Sequence, residues 1–227
     1  MPEYDNAYYI DRFGLALLLN RKGLKRIYCL DIFGNDVEIE DEEACRSLFS
    51  MASEELVNVD ENEEFFLSED FDRICDLITG AKIVIAIYSY SSQNTCDVIY
   101  AGEESAVCAQ PAKNRKDTLK VFEIESNSID DYIREIIQSS ECKKEETPLF
   151  AESLEFLALN DSFVELAKNP ATDIVVDFIL PEAGMSYQKC AVINVVGKKE
   201  LCVWKNDGFL IKEYDNNNIY KDFRREL

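Results

Sequence analysis

Lys82-Ile-Val-Ile-Ala-Ile-Tyr88, Thr95-Cys-Asp-Val-Ile-Tyr-Ala101, Ala106-Val-Cys-Ala109 and Thr118-Leu-Lys-Val-Phe-Glu-Ile-Glu125 follow one another closely, and a helical pattern from Ile129 closes the run. Ile83 to Ile87 is apolar at every position rather than alternating, which predicts a central strand covered on both faces. The polar run Ser89 to Asn94 reads as an exposed loop, and Ala101-Gly-Glu-Glu104 as a hairpin turn. In the closing helix Ser128 stands at the N-cap with Asp131 in the capping-box position, while Ile129, Tyr132, Ile133, Ile136 and Ile137 share one face.

A weaker copy follows. Asp173 to Leu180, Lys189 to Val196, Glu200 to Trp204 and Phe209 to Tyr214 repeat the four strands, and a helix recurs at Ile219 with Asn218 as its cap. The two ends align best, Glu123-Ile-Glu-Ser-Asn-Ser-Ile129 over Glu213-Tyr-Asp-Asn-Asn-Asn-Ile219. This pattern predicts an α+β domain with a central antiparallel β-sheet in pseudo-two-fold repeated halves, flanked by helices. One domain is expected over 1–227, with half-repeats over roughly 68–140 and 147–227 and an N-terminal helix and wing region over 1–67.

That N-terminal region opens on a helix from Asp11 to Leu19, ended at Gly23 and followed by the only dense basic cluster, Arg21, Lys22, Lys25 and Arg26. These cations have two readings: favourable charge at a helix C-terminus, or a dock for an acidic group. Apolar residues at 44, 45, 48, 51 and 52 mark an amphipathic helix from Glu40 to Ala52. Leu56 to Val59, an acidic turn at Asp60 to Glu64, and Phe65 to Leu67 form a short hairpin. Ser68 then caps a helix whose face is Phe71, Ile74, Cys75 and Ile78, with Gly80 as the stop. Between the half-repeats, Thr147 and Pro148 open a helical segment running to Leu166.

Composition narrows the chemistry. The chain has 227 residues, 47% of them hydrophobic, enough for a substantial core. With 45 acidic against 24 basic residues its net charge is −21, the wrong sign for phosphate backbones and anionic lipids. No nucleic-acid or membrane partner is therefore expected, and neither a signal peptide nor an apolar span of membrane length is read. The eight cysteines include no CxxC pair and read as free thiols of a reducing cytoplasm. Histidine is absent, which removes a Ser-His-Asp triad and a Cys-His pair. No phosphate loop, metal set or cofactor motif is present, and the Asp60 to Glu64 run lacks the central glycine of a calcium loop. No enzymatic activity is expected. Aromatic residues and polar loops remain as candidate contacts: Tyr88, Tyr90, Ser92, Gln93 and Asn94 at the mouth of the first hairpin, and Trp204 at the equivalent level of the second unit.

Leu48 through Asp72, with Ala52-Ser-Glu-Glu-Leu-Val57, Phe65-Phe-Leu67 and Phe71, then Ala81-Lys-Ile-Val-Ile-Ala-Ile87 and Tyr100-Ala-Gly102, resemble the EspG-type cytosolic chaperones of type VII (ESX) secretion and their Firmicutes relatives. The resemblance implies a non-enzymatic protein that binds the helical tip of a secreted substrate, with contacts on the central sheet and its projecting loops near Tyr88 to Asn94. Its second half departs from that family in having strands longer and more regular than its helices. Two other classes stay open: an acidic immunity protein that neutralises a polymorphic toxin by charge complementarity, and a nucleic-acid mimic, disfavoured by acidic residues that are scattered rather than set in rows.

Overall fold

The computed structural model describes residues 7–24, 41–61, 64–89, 97–115, 117–141, 169–183, 185–195, 198–205, 208–215 and 218–227. In chain order the first elements are β1 (Tyr8–Asp11), α1 (Arg12–Arg21), α2 (Asp41–Ser53), β2 (Val57–Val59), β3 (Phe65–Leu67) and α3 (Glu69–Thr79). Then come β4 (Ile83–Ser89), β5 (Asp97–Ala101), β6 (Ser105–Pro111), β7 (Thr118–Glu125) and α4 (Ile129–Glu141). The last are β8 (Thr172–Leu180), β9 (Met185–Val195), β10 (Lys198–Lys205), β11 (Gly208–Glu213) and α5 (Ile219–Glu226). Nine strands form one antiparallel sheet in the order β1-β7-β6-β5-β4-β8-β9-β10-β11, and β2 with β3 forms a separate hairpin. The expected α+β class is therefore observed, with β4 at the centre and Ile83 to Ile87 all buried.

The residues divide into two compact units, one of 2–84 with 97–126, the other of 85–96 with 127–227. In the first, α3 presents Phe71, Ile74, Cys75 and Ile78 as a single buried face, each large apolar side chain contributing about 1.5–3 kcal/mol by leaving water. This face packs on β5 and β6, and Tyr8 meets Phe71 edge-on at 5.3 Å. Arg73 of α3 also pairs with Glu123 of β7. Strand β1 was not foreseen; its four residues pair with β7, Tyr8 opposite Val121 and Asp11 opposite Thr118. The first helix accordingly begins at Arg12, with Asp11 as its cap accepting from the Gly14 amide at 2.8 Å. A side chain at position 14 would crowd Met51 of α2, since a Cβ there would lie 3.1 Å from the Met51 sulfur.

In the second unit β8 and β9 pair over most of their length, with irregularities between Thr172 and Ile174 and between Phe178 and Ile179. Helix α4 contacts β8 and α5. Phe223 of α5 stacks on Phe178 of β8 at 4.2 Å and meets Tyr187 of β9 at 5.9 Å. Two caps differ from expectation. The Ser128 hydroxyl donates to the Asn127 side chain rather than accepting from the α4 amides, and Ser126 to Ser128 form a 3-10 turn ahead of that helix. Asn218 holds the cap position of α5 without a side-chain bond to the helix amides, and Asp130 of α4 accepts instead from the Tyr220 amide at 2.8 Å and the Lys221 amide at 3.1 Å.

The expected helix from Thr147 to Leu166, Lys25, Arg26 and the loop residues Tyr90 to Asn94 lie outside the described residues. Among the described residues no helix is long and apolar enough to cross a membrane.

Candidate functional site

Of the six residues expected to contact a partner, Tyr88 and Trp204 are placed, and they pack on the same apolar cluster. Both are half-buried and pack, with Ile211, on a cluster of Ala171, Val175, Ala191, Ile193, Val195 and Cys202. Tyr88 belongs to β4 and Trp204 to β10, where Trp204 lies opposite Lys189. Tyr90, Ser92, Gln93 and Asn94 are outside the described residues.

In the other unit a cleft of about 420 Å³ opens among α1, α2, the β2–β3 wing and α3. Leu18, Leu48, Val57, Phe65, Phe66 and Leu67 give it an apolar lining, and Arg21, Lys22 and Asp72 supply its polar groups. Its base is firm: Leu18 and Val57 are 6% and 4% exposed, whereas Phe66 is 50% exposed. The wing that carries Phe66 is set by three cross-strand pairs, Val57 with Leu67, Asn58 with Phe66 and Val59 with Phe65. Asp60 closes its turn by accepting from the Glu64 amide at 2.8 Å, and the Ser68 amide ties the wing back to the Leu56 carbonyl at 2.9 Å. Phe49 of α2 and Val59 of β2 are also exposed, at 68% and 50%, so each element around the cleft except α1 and α3 carries a large apolar side chain into solvent.

The two basic residues of the lining behave differently. Lys22 bonds Asp72 at 2.6 Å and also Asp76. Burial pulls its ammonium down, but the hydrogen bonds to the two carboxylates outweigh that and hold its pKa above the ordinary lysine value. Lys22 thus fastens α1 to α3 and is the C-cap of α1, with Gly23 beyond it at φ +89°. Arg21 is exposed and makes no ion pair among the described residues. Of the two readings of the basic cluster, helix termination accounts for Lys22 and leaves Arg21 available.

The chemistry of the remaining reactive groups is subdued. Burial pushes the thiols of Cys75 and Cys202 up to about 12, and burial together with Asp97 holds Cys108 well above the ordinary cysteine range. Such thiols stay protonated and behave as small hydrophobes. Cys45 on α2 is exposed.

The sequence reading passed over the cleft because its lining, Leu18, Leu48 and Val57, looks like ordinary core. One signal was present. In Phe65-Phe66-Leu67 successive side chains alternate faces, so a strand of three apolar residues must turn at least one of them away from the core. No family model matches the chain, and no curated protein matches it.

Proposed function

We propose that the chain is a non-enzymatic, cytoplasmic protein-binding chaperone or adaptor for a helical type VII secretion substrate, and that the cleft beside Phe66 receives an apolar face of the partner. The observation that supports this reading is Phe66 itself, a large aromatic residue kept half in solvent beside an apolar cleft with a buried base. Exposed apolar surface of this kind marks interaction sites, and an aromatic anchor at the lip of a pocket is the usual source of binding energy. The cleft volume falls in the range of roughly 300–1,000 Å³ spanned by binding pockets. Tyr88 and Trp204 are retained as a second proposed contact. The family plan of repeated halves is part of the same reading, supported by the bond from Tyr220 to Asp130, since the offset that aligns Ile219 with Ile129 also aligns that pair.

The net charge of −21 supports a second reading, an acidic immunity protein for a basic toxin. The test is affinity capture from native cytosol with the unaltered chain and with Phe66→Ser, followed by mass spectrometry. A small helical secreted protein that is retained by the first and lost about tenfold or more with the second is the expected result. A compact toxin domain retained equally by both would sink the chaperone reading.

A further inference from the structure

The sheet ends at β11, and the hydrogen-bond phase of that strand shows what its open side offers. The Tyr214 amide donates to the Lys199 carbonyl at 2.8 Å, and the β10–β11 register continues without a break from Glu200 opposite Glu213 to Lys205 opposite Gly208. Since bonded and non-bonded pairs alternate in an antiparallel ladder, Leu210 and Lys212 turn their backbone groups toward β10. Phe209, Ile211 and Glu213 turn theirs outward, where no strand lies among the described residues. Little in the strand blunts this edge: it has no proline and no bulge, its only charges are Lys212 and Glu213, and Leu210 is 60% exposed. Directly opposite each other on one face stand Glu200 and Glu213, a like-charge pair in the closer, non-bonded position, which destabilises a sheet. Neither carboxylate has an ion-pair partner among the described residues; across β9, Glu200 faces Ile193.

We infer that β11 is a docking edge that takes an extended, basic segment of another polypeptide as a tenth strand. The incoming strand runs antiparallel, as the neighbouring strands do, and exchanges backbone bonds with Ile211 and Glu213. It places a Lys or Arg opposite Glu213, where the cation offsets the Glu213–Glu200 repulsion, and two residues along it places an apolar side chain opposite Ile211. This mode of recognition draws affinity from the main chain and selectivity from alternate side chains. It needs nothing from the cleft and stands or falls independently of it.

The probe is a short soluble peptide alternating Thr with Lys and Val, so that Lys and Val share one face, against the same peptide with Glu for Lys. Binding of the Lys peptide should slow amide hydrogen exchange at Ile211 and Glu213 about tenfold or more while leaving Leu210 and Lys212 unchanged, and the Glu peptide should bind at least about tenfold more weakly. Ile211→Pro removes an outward donor and spares the bonds to β10; Glu213→Lys alters only the charge. Each should weaken the Lys peptide about tenfold. Exchange at Ile211 and Glu213 that the Lys peptide leaves unchanged, or equal binding to the chain and to Glu213→Lys, would mean general attraction to an acidic surface and would overturn the proposal.

Discussion

The sheet finishes differently at its two ends. At β1 the strand is four residues long, and Asp11, its last residue, is already the cap of α1. The chain therefore turns directly from strand into helix, and α1 and α2 both pack against β1, leaving Ile10 only 2% exposed. The Asp11 carboxylate also accepts from Ser47 of α2 at 2.8 Å, so one side chain ends the strand, starts a helix and holds a second. At β11 the chain leaves through Tyr214 toward α5, whose Phe223 is committed to Phe178 and Tyr187. The helix that follows an edge strand covers that strand only if its apolar face is not needed elsewhere. Covering and charging an edge are alternative defences against unwanted pairing; β1 uses the first, and β11 carries only Lys212 and Glu213 for the second.

The contrast can be broken most forcefully at its covered end. Ile10→Ala is expected to destabilise the fold by about 2–5 kcal/mol, while Leu210→Ala at the open end should stay within about 0.5 kcal/mol, both read as shifts in the urea midpoint at constant slope. Similar losses for the two would mean that β11 is covered as β1 is.

An interior strand supplies the control. Asp97 begins β5, and burial pushes its carboxyl from an ordinary 3.8 up to about 7. Between those values the folded state holds a proton that the unfolded state has released, so stability falls as pH rises from about 4 to about 7. The expected loss is on the order of 2 kcal/mol after allowing for the side chain's partial contact with solvent, and Asp97→Asn should flatten the melting temperature over that interval. A slope that persists in the variant would assign the pH dependence to other groups. A smaller change, about 1–2 kcal/mol, is expected for Asp11→Ala, which removes the acceptor of both the Gly14 amide and Ser47. Ser47→Ala alone should recover only part of that effect, because it leaves the cap intact.

The strands and helices that were legible in sequence are those whose burial is written locally. Ile83 to Ile87 announces a two-sided core strand, and the spacing of Phe71, Ile74, Cys75 and Ile78 announces the face of α3. What escaped depends on distant partners. Tyr8 to Asp11 is too short for its alternation to register, and it becomes a strand only because β7, more than a hundred residues on, offers an edge. Asn218 stands at the cap position as expected, but the acceptor that serves the α5 amides comes from Asp130, which no local pattern shows. That Tyr88 and Trp204 share one apolar cluster follows from pairings across β4, β8, β9 and β10 that no local pattern encodes. Nor does any local pattern reveal the cleft, whose residues come from four elements and differ from core only in what is missing beside them.

The bond from Asp130 to the start of α5 makes that helix dependent on α4. A helix of eight residues is too short to persist in water by itself, and its N-terminal amides are satisfied by a carboxylate made 90 residues earlier. The persistence of α5 as a helix therefore depends on α4, which supplies its cap, and on β8, which supplies its packing partner. Because Phe223 stacks on Phe178, loosening α5 and uncovering that part of the core are one event.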